Sequence, residues 1–337
     1  MKKLTTAAAL AFVVALTTLQ VSARSIISNP TPLRGAQDDK QKDDKAKEET
    51  DAYTAWYNAT RETNKDWSKI MELGKAYMAK YPQGQWAKYI QPSIAQARNA
   101  MLTKAAQDKN VAEIIRLGKE AAAEDQSAEV DYYTFIVGQI GTLELFAQPP
   151  SFAHAADATD LANKSIALIE GGKLPKGANK NVLLAYLNSV DAVVEKNNKN
   201  TDKAIAYYQK AASYDPTNPQ YSLQCGSLHQ QKYAAAATKF QTIPDTDREA
   251  EADKMKPEVK AVLDEVNREA DAVIQCWARF VALTQDKKEW DGTRAQVQKV
   301  LTELYSFRHN GSSEGLKELI ERSRSASSPP SSSTASH

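Results

Sequence analysis

Residues Thr201 to Pro219, TDKAIAYYQKAASYDPTNP, constrain the fold of this 337-residue chain more than any other stretch. Ala204, Tyr208 and Ala211 recur at steps of four and three, which places them on one face of a helix. Ala204 is small enough to let a neighbouring helix approach, Tyr208 fills the gap one turn later, and Ala211 is small again. Asp215-Pro216 then stops the helix, because proline cannot donate to the helical ladder and biases the residue before it out of the α region. Such a seam predicts a helix packed closely against a neighbour and closed by a turn.

An internal echo lies upstream. Trp67-Ser-Lys-Ile70-Met-Glu-Leu73-Gly74-Lys75 is repeated as Val111-Ala-Glu-Ile114-Ile-Arg-Leu117-Gly118-Lys119, with Ile, Leu, Gly and Lys in one order and spacing. Glycine inside a helix costs about 1 kcal/mol relative to alanine, so two at one phase predict close helix packing. Tyr81-Pro82 closes the earlier unit as Asp215-Pro216 closes the later one. The interval between the two echoes is long, so the helix between them, roughly 86–106, must be extended.

The pattern Ala204-x3-Tyr208-x2-Ala211-x4-Pro216 resembles the tetratricopeptide repeat family at all four positions. Cys225-Gly226 stands where that family carries Leu-Gly, and Tyr233, Ala236 and Phe240 resemble its second-helix pattern. The resemblance implies an all-α fold: a right-handed superhelix, or solenoid, of about five helical hairpins closed by C-terminal capping helices. It also implies a concave face built from the first helix of each hairpin. Carried over helix by helix, that face would hold Tyr132, Phe135, Gln139, Asn188, Gln220, Ser227 and Gln230. Family members that clamp a terminal carboxylate use Lys, Asn and Arg there. This chain offers Asn188 without the accompanying Lys and Arg, so that mode is not expected.

The chain divides by composition. Residues 1–23 form an expected signal peptide: Lys2 and Lys3 lead an apolar run, and Val21-Ser22-Ala23 supplies small residues for cleavage near Ala23. The mature protein is then periplasmic or secreted, with no integral membrane span. Residues 24–51 mix both charge signs and are expected to be a linker, either mobile or a frayed helix. Helical repeats occupy 52–244, with one hairpin over 128–168, a second joining 182–194 to the opening stretch, and a fifth, degenerate pair of helices from Tyr221 to Pro244. The period changes after Pro257, where Val259, Val262, Val266, Ala270, Val273, Trp277 and Phe280 mark one long helix. Residues 245–324 are therefore the capping segment, and 325–337 a disordered Ser/Pro tail.

Charge and cysteine usage narrow the function classes. The formal charge of +1 becomes −1 once Lys2 and Lys3 are removed, which gives nucleic acid no basic surface. Cys225 and Cys276 permit one disulfide in an exported protein, and both also sit on apolar helix faces where free cysteine packs well.

Chemistry is sparse. Of His154, His229, His309 and His337, none has a second His or Cys at a recognised metal-ligand spacing, and no HExxH, CxxC or phosphate loop occurs. Gly311-Ser-Ser313-Glu-Gly315 matches GxSxG in letters only, because the nucleophile elbow needs a strand before the serine. Ser227 near His229 lacks an identifiable third partner. No catalytic residue, cofactor or metal is expected. The leading function is a non-enzymatic interaction scaffold that binds a protein or peptide. The alternative is an exported glycan-binding accessory or enzyme with its site among the early aromatics Trp56, Tyr57, Trp67, Tyr77, Tyr81 and Trp86, which otherwise form core.

Overall fold

The computed structural model describes residues 39–325 apart from 250, 252 and 253, and the side chains of 43–324 within that span. The expected signal peptide, residues 24–38 of the linker and nearly all of the tail lie outside the described residues. The fold is all-α, with thirteen α-helices and no strand among the described residues. None of these helices is long and apolar enough to cross a membrane.

Two compact units divide the chain, one through Leu143 and one from Glu144. The first contains α1 (Asp39–Arg61), α2 (Trp67–Lys80), α3 (Ala87–Gln107), α4 (Val111–Glu124) and α5 (Glu129–Ile140), followed by a π-helical turn, Gly141–Leu145. Each of these helices packs on the one before it. The intervening helix is long, as expected: α3 has 21 residues. The echoed glycines do what their phase predicts. A Cβ on Gly74 would lie 2.8 Å from Ile94 Cγ1 of α3, and one on Gly118 would lie 2.7 Å from Ile136 Cγ1 of α5. At both seams a buried isoleucine of the next helix occupies the space a side chain would need.

Of the two forms expected of the charged stretch before residue 52, the described part takes the helical one. From Asp39 onward it is helical and begins α1. The reason is partner groups rather than apolar burial: Glu49 accepts from Tyr77 Oη at 2.5 Å and from the Gln85 amide at 3.0 Å, while Glu48 pairs with Lys80 at 2.6 Å. Two threonines on this helix also bond back to carbonyls one turn earlier.

The second unit contains α6 (Ala155–Glu170), α7 (Lys180–Asn197), α8 (Thr201–Tyr214), α9 (Pro219–Gln241), the short α10 (Asp245–Arg248), α11 (Pro257–Thr284), α12 (Asp291–Arg308) and α13 (Leu316–Ser325). The α8 seam forms as expected, with Ala204, Tyr208 and Ala211 buried against Ala185, Ala192, Tyr221 and Leu228. Asp215 ends α8 and Asn218 caps α9, whose first residue is Pro219. Gly171 and Gly172 end α6, the latter at φ +95°.

The fifth pair of helices is not a pair. Residues 219–241 form one continuous helix of 23 residues, because HQQKYAAAATKF contains no glycine or proline to break it. Its partner is α11, which buries Val273, Trp277 and Phe280 together with α12 and α13 residues Leu301, Leu304, Leu316 and Ile320. The GxSxG letters fall in the turn between α12 and α13, with Gly311 at φ +86° and Gly315 at φ +87°, and α12 rather than a strand precedes the serine. Ser312 holds that turn by accepting from the Glu314 amide at 3.1 Å, and α13 starts four residues later, at Leu316.

Candidate functional site

The first unit carries a groove of about 430 Å³ whose lining includes Lys75 and Met78 of α2, Ile94 and Arg98 of α3, Glu124 of α4 and Tyr132 of α5. Arg98 is its organising group. It sits on the apolar face of α3 with Ile90, Ile94, Ala97 and Leu102, and only 3% of its side chain is exposed. A guanidinium so buried needs anionic partners. Arg98 Nη2 pairs with Glu124, and its Nε lies 3.6 Å from Glu120 Oε1. Glu120 also pairs with Lys75 and, at 3.4 Å, with Arg116. Tyr132 is half-buried beside this network. Burial raises its phenol above the ordinary value, the Arg98 charge works against that, and the Asp125 and Asp131 carboxylates add to it. The groove thus joins apolar side chains, an aromatic wall and fixed charges of both signs.

The seven residues expected on a concave face fall in both units. Tyr132, Phe135 and Gln139 lie on α5, all half-buried, and Tyr132 lines the groove. Asn188 lies on α7, and Gln220, Ser227 and Gln230 lie on α9. Gln220 is exposed and Gln230 half-buried, whereas Ser227 returns its hydroxyl to the Leu223 carbonyl at 2.9 Å. Asn188 is a correction: it is fully buried, and its Nδ2 donates to the Leu184 carbonyl at 2.7 Å, so it faces no groove. One turn on, Asp191 is also buried, and neither carboxylate oxygen has a hydrogen-bond partner. Burial pushes its carboxyl up to about 7, and the nearby Glu195 charge adds to that while the Lys210 charge offsets part of it.

The early aromatics spend their faces on one another. Tyr53 stacks on Trp86 with ring centroids 4.4 Å apart, buried Trp56 donates to Ser93 Oγ at 3.0 Å, and Tyr77 is held by Glu49. Burial and that bond raise the Tyr77 phenol to about 12.

Two histidines have structural partners. His154 Nδ1 meets Glu144 at 2.8 Å beside the start of α6, and His309 Nδ1 lies 2.8 Å from the Tyr305 carbonyl. His229 differs. Its Nδ1 lies 2.7 Å from Glu269 Oε2, its Nε2 is buried without a partner, and Cys225 sits one turn before it on α9. Burial acts to raise the Glu269 carboxyl, but the bonds from His229 and Lys232 outweigh it and leave the group below its ordinary value. Cys225 and Cys276 are bridged, with Cα atoms 6.0 Å apart, which joins α9 to α11. The sulfurs and a ring nitrogen of His229 all lie within 4.8 Å of one another. The sequence does contain this signal, since Cys225-x3-His229 puts both side chains on one helix face, but the third member arrives from α11 and has no local spacing. Arg98 left a fainter trace, a lone cation between Ile94 and Leu102 on an apolar stripe.

No protein-family model, no curated protein and no solved structure matches the chain.

Proposed function

We propose that this chain is an exported, non-enzymatic binding scaffold whose hairpins follow the tetratricopeptide pattern, and that the groove of its first unit takes an extended peptide or protein segment. The observation that carries the reading is buried Arg98, held by Glu120 and Glu124 at the floor of an open groove beside Met78, Ile94 and Tyr132. Its ion pairs are fixed before any ligand arrives, so binding need not order them. Apolar contacts to Tyr132 and Met78 would supply affinity, while the mixed charges orient a ligand whose backbone offers donors and acceptors. The tying of these charges to one another favours binding over acid–base catalysis, which needs a group able to exchange its proton. The bridged cysteines support an oxidising compartment and hence export.

Two turns recur at one interval and support the repeat reading. Lys109 and Lys199 both take left-handed φ, 56° and 62°, in Asp108-Lys-Asn110 and Asn198-Lys-Asn200. Asp125 and Asp215 each accept from the backbone amide two residues on, Ser127 at 3.0 Å and Thr217 at 3.2 Å.

Selection of peptides from a random library on the full chain tests the reading. Tyr132→Ala is expected to weaken the selected peptides about tenfold or more, the effect of losing one aromatic anchor, with helicity unchanged by circular dichroism. Peptides indifferent to Tyr132→Ala and Met78→Ala but lost on Trp86→Ala would move the site to the early aromatics.

A further inference from the structure

We propose that Cys225, His229 and Cys276 form a Zn²⁺ site that is closed by the disulfide and opened by its reduction. Three observations converge on it. The two sulfurs and a His229 nitrogen already lie within 4.8 Å of one another, so a single ion can reach all three. His229 Nδ1 is committed to Glu269 at 2.7 Å, which leaves Nε2 as the nitrogen with a lone pair to give, and Nε2 is buried with no hydrogen-bond partner. Glu269 is itself fixed, its Oε1 taking Lys232 at 2.9 Å and Arg268 at 3.2 Å. A carboxylate that orients the far nitrogen of a histidine is the arrangement that fixes the tautomer of metal-bound imidazoles.

The donor set selects the ion. Two thiolates and one imidazole suit a borderline-soft cation without geometric demands of its own, and such a set leaves a fourth position open. Charge favours a dication. Two thiolates neutralise Zn²⁺, whereas a monovalent ion would leave one negative charge in a pocket already holding Glu269. Backbone order favours the site as well: Cys225 and His229 are one turn apart on α9, and α11 supplies Cys276 and Glu269.

Opening and loading balance simply. An external dithiol reduces the bridge: the Sγ–Sγ bond breaks, each cysteine gains one hydrogen, and the reagent becomes a disulfide. Zn²⁺ then displaces the two thiol protons to solvent. The site depends on neither the groove nor the repeat reading.

The full chain is reduced with dithiothreitol, freed of it by gel filtration under nitrogen, and titrated with Co²⁺ as a coloured stand-in for Zn²⁺. One equivalent is expected to produce thiolate-to-cobalt charge-transfer absorption that Zn²⁺ abolishes, and the oxidised chain is expected to produce none. Glu269→Gln is expected to weaken binding about 10- to 100-fold, and His229→Gln at least as much, with helicity retained by circular dichroism. X-ray absorption of the Zn²⁺-loaded wild type, which involves no substitution, is expected to show two sulfurs and a nitrogen. No charge-transfer band in the reduced wild type, an equal band in the oxidised chain, or a zinc shell without nitrogen would overturn the proposal and leave the bridge as a cross-link alone.

Discussion

Replacing Gly118 with alanine separates two effects that act in opposite directions. Alanine raises helix propensity, a gain of about 0.8–1 kcal/mol at an unhindered helical glycine. At Gly118, however, the new Cβ would lie 2.7 Å from Ile136 Cγ1 and 2.6 Å from its Cδ1. Ile136 is fully buried on α5, so it cannot swing into solvent to make room. Overpacking of this kind costs roughly 1–3 kcal/mol, which cancels or exceeds the propensity gain. Gly138 on α5 is the control, because a Cβ there meets nothing within 4 Å. Gly138→Ala is therefore expected to stabilise by about 1 kcal/mol, and Gly118→Ala to fall about 1–3 kcal/mol below it. Urea denaturation followed by circular dichroism measures both. The decisive background is Ile136→Ala, itself destabilising by roughly 2–5 kcal/mol. It removes both close atoms, so Gly118→Ala should there become a gain of about 1 kcal/mol. Equal shifts for Gly118→Ala and Gly138→Ala, or no change of sign in that background, would refute close seam packing.

Asp191 makes the fold sensitive to pH. Its folded carboxyl titrates at about 7, above its ordinary value of 3.8, so the folded state holds the extra proton between those values. Stability is then expected to fall as pH rises from about 4 to about 7, by on the order of 1–4 kcal/mol; Asp191→Asn should flatten that slope in chemical denaturation across the range. Lys109→Gly and Lys199→Gly should each stabilise by roughly 0.5–1 kcal/mol, because glycine takes left-handed φ without steric penalty, and unequal signs in thermal melts would break the equivalence of the two turns. Cys225→Ser with Cys276→Ser, which opens a bridge spanning 51 positions, should lower stability by about 2–4 kcal/mol, measured against the oxidised chain.

The sequence made visible what is periodic. Ala204, Tyr208 and Ala211 signalled their seam, Gly74 and Gly118 their close approaches, and Asp215-Pro216 its helix end, because each is a local rule written in neighbouring residues. What escaped depends on residues distant in sequence. α1 begins early because Glu48 and Glu49 find partners on α2 and in the turn after it, which no window around residue 48 contains. The burial of Asn188 follows from its neighbours on α7 being buried all round, so a polar side chain is not by itself evidence of a polar face. Continuity of α9 could have been read from the absence of a breaker, but the repeat template suggested a turn there. Arg98 and the Cys225, His229, Cys276 group are visible as residues and invisible as sites, since their partners come from other helices.

The equivalence of the two turns bears on how the second unit ends. At the interval that relates Lys109 to Lys199 and Asp125 to Asp215, Gly118 corresponds to Tyr208 and Ile136 to Gly226. Gly118 faces Ile136 of α5 in the first unit, whereas Gly226 faces Trp277 of α11 in the second. Tyr208 is 3% exposed within its own seam on α8, and α9 carries a glycine at the position that matches Ile136. The space over Gly226 is filled by Trp277 of α11: a Cβ there would meet the indole, whose Nε1 donates to the Leu223 carbonyl at 3.4 Å. Adjacent to that contact is the bridge from Cys225 to Cys276, the residues immediately before Gly226 and Trp277. Without a side chain, Gly226 leaves on α9 a socket that Trp277 of α11 fills, as Gly118 leaves one on α4 that Ile136 of α5 fills. Two turns before Cys276 on α11, Glu269 meets His229 of α9, so the candidate metal site lies beside the socket that docks α11 on α9.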